Sequence, residues 1–217
     1  MNIKRTLEKS AIWIVLALAV GGGIWGLMQL GAPTAVDGNK TELTEPISAE
    51  DWTKGSVMAK VVLVEYSDFQ CPACAAYFPY VKQISNKYSD KVLIVYKNYP
   101  LPQHQQSKLA ATYAEAAGNQ GRFWEMHDKL FENQDKWSDN NNAEEIFKGY
   151  ARELGLNETK LAEDIKSSAI ENKIEKDIDS GNKSGVDRTP TFFLNGKKLT
   201  ELQTLNDLEY YVSQAIK

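Results

Sequence analysis

Two apolar runs bracket a segment of helical periodicity, and this arrangement restricts the possible folds of the 217-residue chain more than any other feature. Val61-Val62-Leu63-Val64-Glu65-Tyr66 and Val92-Leu93-Ile94-Val95-Tyr96 are short, β-branched and apolar, the pattern of strands buried on both faces of a parallel or mixed sheet. Between them, the chain turns helical from Pro72, with Phe78, Val81 and Ile84 on one face and Asn86 to Ser89 closing the segment. Strand, helix, strand predicts a βαβ unit with a right-handed crossover.

From Gln103 to Lys183 no strand pattern appears. Leu109, Thr112, Tyr113 and Ala116, then Phe123, Met126, His127 and Leu130, then Ile146, Tyr150, Leu154, Leu161, Ile165 and Ile170 recur at helical spacing. A block of this length is too long for a connection, so a helical insertion at about 103–183 is expected. Thr189-Pro190-Thr191-Phe192-Phe193-Leu194, Asn195-Gly196 and Lys197-Lys198-Leu199 then read as strand, type I′ turn and return strand. Thr204 with Asp207 resembles a capping box opening a last helix that turns Leu205, Leu208, Val212 and Ala215 inward.

Ser10 to Val36 carries no charge, and Ala11 to Leu30 is mostly apolar and long enough to span a bilayer. Lys4, Arg5 and Lys9 precede it, which places residues 1–10 in the cytoplasm and everything after Leu30 outside. The segment 11–30 is therefore expected to be a transmembrane signal anchor in the cell membrane. A cleaved signal peptide is the alternative, but Leu30 or Pro33 would occupy the minus-three position of the available sites. Residues 31–53, polar and containing Pro and Gly, read as an extracytoplasmic linker, leaving 54–217 as the functional domain. The net charge of -4 contains +2 from the first ten residues, so the remainder carries -6 and offers no basic surface for nucleic acid.

The chain has two cysteines, Cys71 and Cys74, directly after the first strand. That is too few for a disulfide framework or a four-thiolate zinc site, which leaves redox chemistry, a local structural bridge or chance. A thiol at a helix N-terminus faces unpaired N–H groups and the positive dipole end, which favour its anion. Cys71 has this position, Pro72 suits the first helical turn, and Cys74 lies one turn deeper, within bridging reach. Exchange through a mixed disulfide is expected, with Cys71 as the exposed nucleophile and Cys74 as the resolving thiol. Ala73 brings no side-chain donor, which predicts a milder oxidant than a polar residue would give. His104 and His127 lack metal-ligand spacing, and His127 reads as a packing histidine, so neither a metal nor a cofactor is called for.

The stretch Glu65-Tyr66-Ser67-Asp68-Phe69-Gln70-Cys71-Pro72-Ala73-Cys74 resembles the active-site segment of DsbA-like thiol-disulfide oxidoreductases. The likeness continues in Lys97-Asn98-Tyr99-Pro100-Leu101, in Gln120-Gly121-Arg122-Phe123-Trp124 with His127, and in Val186-Asp187-Arg188-Thr189-Pro190-Thr191, covering about Trp52 to Lys217. It implies an α/β, thioredoxin-like fold with an inserted helical domain. It also implies that Thr189 and Pro190 form a cis-proline loop beside the cysteines, where the backbone pairs with substrate. Glu65 matches the position of a buried acid that relays protons to Cys74; a strand-end Glu facing water is the alternative. The family's partners are exported proteins with cysteines and an integral-membrane, quinone-linked oxidant. A reductase or isomerase would carry the same motif, and so would a tethered binding module in which the cysteines merely staple a turn.

Overall fold

The computed structural model describes residues 40–217. The expected cytoplasmic segment 1–10, anchor 11–30 and first part of the linker lie outside the described residues. Among the described residues no helix is long and apolar enough to cross a membrane.

Five strands, β1 (Trp52–Gly55), β2 (Val61–Ser67), β3 (Val92–Asn98), β4 (Thr191–Leu194) and β5 (Lys197–Lys198), form a mixed sheet in the order β1-β3-β2-β4-β5. Strand β2 (Val61–Ser67) pairs in parallel with β3 (Val92–Asn98), and α1 (Pro72–Lys87) forms the crossover between them. Strand β4 (Thr191–Leu194) lies antiparallel to β2, and β5 (Lys197–Lys198) returns beside it. Asn195 and Gly196 connect β4 and β5 with φ of 49° and 81°, the double positive φ that a type I′ turn requires and that Asn-Gly tolerates. The expected strand from Thr189 starts two residues later, at Thr191, because Pro190 has no N–H for a ladder bond. Helix α8 (Leu205–Ala215) follows, its first turn held by the Asp207 carboxylate, which accepts from the Thr204 N–H at 2.7 Å and hydroxyl at 2.9 Å.

The helical block is present between β3 and β4 as α2 (Ser107–Gly118), α3 (Phe123–Glu132), α4 (Gln134–Trp137), α5 (Ala143–Glu153), α6 (Glu158–Asp164) and α7 (Ser168–Lys183). Its core is aromatic and alanine-rich, with Tyr113, Phe123, Trp137 and Phe147 fully buried, and it is continuous with Cys71, Cys74, Phe69 and Tyr96. The helical block and the Cys71–Cys74 segment thus share one core.

One expectation is corrected. Residues 40–53, read as linker, belong to the folded domain. Trp52 and Thr53 lie in β1 (Trp52–Gly55), which pairs antiparallel with β3. Glu42 bridges to Lys197, and Leu43 donates its N–H to the Gly196 carbonyl at 2.7 Å. Leu43 and Ile47 cover the Val64, Val95 and Phe193 side of the sheet. The Trp52 ring stacks on Phe123 at 4.5 Å and lies where a Cβ on Gly118 would sit 2.2 Å from it, so α2 can approach only because Gly118 has no side chain.

Candidate active site

Cys71 is the N-cap of α1, with extended backbone (φ -70°, ψ 122°) and Pro72 at the first helical position. No side chain caps this helix end and no acidic residue lies in its first turn, so its N–H groups remain open to the Cys71 sulfur. Cys71 and Cys74 are free thiols. Cys74 is completely enclosed, and Cys71, expected to be exposed, retains only 6% of its surface because Thr189 and Gln134 close over it. It remains the more open of the two. Pro72 and Ala73 are exposed beside it.

The two sulfurs are driven in opposite directions. The Cys71 pKa falls to about 5, chiefly through a hydrogen bond from Cys74, then through Thr189 and the N–H groups of Cys74 and Ala73, against the cost of burial. Burial pushes the Cys74 thiol well above its ordinary value, and the hydrogen bond it gives Cys71, together with the Cys71 and Glu65 charges, adds to this. One proton is therefore held on Cys74 and shared toward a Cys71 anion.

Thr189 lies 118 positions away in sequence and arrives from the loop before β4. The Thr189–Pro190 peptide bond is cis, and the Cys71 thiol donates to the Thr189 carbonyl at 3.3 Å. That bond belongs to the protonated sulfur. Among the described residues the buried Thr189 hydroxyl has no other partner, and it is available to the anion.

Glu65 points inward, 4% exposed, from the centre of β2 between Tyr96 and Phe192 on the neighbouring strands. Burial raises its pKa to about 7, with a Ser67 hydrogen bond opposing and the Cys71 charge adding to the rise. A cavity of about 20 Å³, room for one water, lies against it and is lined by Lys54, Lys82, Ser85, His127 and Asp128 among others. His127 packs as the sequence suggests, its ring centroid 5.0 Å from those of Tyr96 and Phe131, and burial lowers its pKa.

Three organising residues escaped the sequence reading. Asp68 is fully buried beneath the loop before Cys71 and gathers four donors. Its carboxylate accepts from Gln70 N–H at 2.7 Å, Leu101 N–H at 2.8 Å and the Ser107 hydroxyl, and lies 2.7 Å from His104 Nδ1. Its own N–H faces the Cys74 sulfur at 3.5 Å. Gln134 of α4 donates to the carbonyls of Phe69 and Cys71 at 2.7 and 3.0 Å, and Gln70 donates to the Ser138 carbonyl at 2.6 Å. The available signal for Asp68 was its place between Ser67 and the cysteines: a carboxylate in such a loop is positioned to accept local N–H groups.

This geometry can ionise one sulfur, protonate the other and leave a backbone carbonyl beside them. Comparison with known proteins agrees. Residues 48–214 match the family model described as Thioredoxin. A curated relative, the Na(+)/H(+) antiporter NhaA 1 of Mycolicibacterium gilvum, is 34% identical over 190 residues, 85% of this chain and 29% of that protein. The chain thus spans under a third of the length of that relative. Oxidised BdbD of Bacillus subtilis shares the fold with a TM-score of 0.71 at 22% identity, over 82% of this chain and 99% of BdbD. α-DsbA1 of Wolbachia pipientis does so with a TM-score of 0.68 at 22% identity, over 80% of this chain and 94% of that one. With its cysteine pair at the start of α1 and its cis-proline loop in contact, the chain belongs to the thioredoxin family.

Proposed function

We propose that this chain is a membrane-tethered, extracytoplasmic protein thiol-disulfide oxidase that passes a Cys71–Cys74 disulfide to exported proteins with cysteines. The observation that carries the reading is the asymmetry of the pair: one sulfur at an open helix N-terminus, the other sealed one turn below. A stabilised Cys71 thiolate favours the reduced form over the disulfide, which makes the disulfide an electron acceptor.

A substrate thiolate attacks Cys71 Sγ, the Cys71–Cys74 bond breaks, and Cys74 leaves with the electron pair. Because Cys74 is strongly basic when reduced, it takes up a proton, and Glu65, poised near neutrality across the core, is the residue to relay it. A second substrate thiolate then attacks the substrate sulfur of the mixed disulfide, and Cys71 departs as a thiolate. Two electrons have moved from substrate to enzyme. Thr189 presents its backbone to the substrate chain, with Pro190 fixing the loop. Reoxidation falls to an integral-membrane, quinone-linked partner, and the uncharged run from Ser10 to Val36 behind Lys4, Arg5 and Lys9 supports the tether.

Cys74→Ser should accumulate mixed disulfides with exported proteins, whereas Cys71→Ser should lose exchange by at least about a thousandfold while keeping its fold. A redox titration completes the test: a couple as reducing as thioredoxin, near about -270 mV, would make the protein a reductase and sink the oxidase reading.

A further inference from the structure

Among the described residues, the exposed large apolar side chains are Val57, Met58 and Tyr210. None is at the cysteine end. Val57 and Met58 sit in the connection before Val61, at the opposite end of β2, and the neighbour of Tyr210, Glu209, binds Lys87 at the far end of α1.

Gln70, the residue before Cys71, lines instead a cleft of about 260 Å³ between the segment leading into α2 and the segment after α4. Gln70 crosses its floor, accepting from the Gln106 N–H at 2.6 Å and donating to the Ser138 carbonyl at 2.6 Å. Its rim carries Gln103, Gln105 and Asn141, exposed amides with no side-chain partner among the described residues, and Asp139. Each amide offers both donors and an acceptor, the complement of an extended backbone and of hydroxyl or amide side chains. An apolar side chain seated there would strip water from these groups without replacing their hydrogen bonds.

We propose that this cleft is a substrate subsite that selects cysteines flanked by Ser, Thr, Asn or Gln over cysteines in apolar segments. The proposal rests on the exchange reading of Cys71 and names the substrate class of that site. Gln103 and Gln105 are the specificity-determining residues, and Gln70 fixes the floor.

The test uses the full chain, oxidised, with two model peptides whose single cysteine is flanked on both sides by Ser and Asn or by Leu and Val, and with 2-mercaptoethanol as a featureless thiol. The polar peptide should reduce the protein about tenfold faster than the apolar one. In a Gln103→Leu, Gln105→Leu double variant that ratio should collapse toward one while the 2-mercaptoethanol rate is unchanged. An apolar peptide that reacts as fast as the polar one, or a ratio untouched by the double variant, overturns the subsite. Absence of reaction with 2-mercaptoethanol in the unmodified chain would instead overturn the exchange reading, and the subsite with it.

Discussion

Two buried polar centres lie one residue apart on the same pair of strands, and they are built on opposite plans. Glu65 and its cross-strand neighbour Tyr96 face the cysteines, whereas the next pair, Tyr66 and Lys97, faces the other side of the sheet because strand side chains alternate. Lys97 is fully paired: its ammonium meets Asp51 at 2.6 Å and Asp177 at 3.7 Å, and Lys173 meets Asp177 at 2.7 Å. Asn98 completes that network through Asp177 and Glu115. Among the described residues Glu65 has no cation within ion-pairing distance, and its pKa is displaced to about 7 by burial. The paired centre holds β1, β3 and α7 together; the unpaired one is left able to change its protonation state.

The comparison breaks most forcibly at Lys97. Lys97→Met strips the nearer cation from Asp51 and leaves that buried carboxylate with only Lys173, 3.9 Å away, so stability should fall by about 3 kcal/mol in urea unfolding. Exchange with a small thiol should survive in the fraction that remains folded. An unchanged urea midpoint would show that the network contributes no structural stability.

Glu65→Gln should do the reverse. A carboxyl raised from 4.5 to about 7 contributes its full stability below pH 4.5 and loses it as pH rises through 7. Removing it should therefore stabilise the reduced protein at pH 8 by on the order of 2 kcal/mol, and by nothing at pH 4. If Glu65 is the relay proposed above, the same variant should slow substrate turnover at least about tenfold, because Cys74 loses that route to its proton. A variant less stable at pH 8 than at pH 4, relative to the parent chain, would contradict the unpaired acid.

Only one of these two centres was legible in the sequence. The strand before Cys71 announces itself through Val61 to Val64, whereas Glu65 within it was marked by family resemblance, with a strand-end Glu facing water as the alternative that its burial removes. The other centre depends on Asp51, which sits in a stretch with no hydrophobic period. β1 is four residues long and is fixed by backbone bonds to β3, so periodicity cannot reveal it, and residues 40–53 read as linker for that reason. Asp68 was hidden differently. Its donors come from Leu101, His104 and Ser107, more than thirty positions on, and only the folded chain brings them to one carboxylate. The position of Thr189 came from family resemblance, since a Thr-Pro pair alone fits an ordinary surface turn equally well.

The smallest effect is the most discriminating, because it asks how the unpaired acid and the reactive sulfur sense one another. Cys71 ionises near pH 5 and Glu65 near 7, so when Cys71 titrates, the acid is still largely neutral and exerts little field on it. When Glu65 titrates, the thiolate is already present and opposes it. Coupling free energy is reciprocal, yet its visible consequence falls on the group that titrates second. Glu65→Gln should accordingly move the midpoint of Cys71 alkylation by less than about half a pH unit. Cys71→Ser should lower the Glu65 midpoint, read from its carboxyl resonance or infrared band, because the opposing charge is gone and only burial remains. A Glu65 midpoint that stays in place in Cys71→Ser, or rises, would mean that the two groups do not communicate across the core, and the relay would need a different residue.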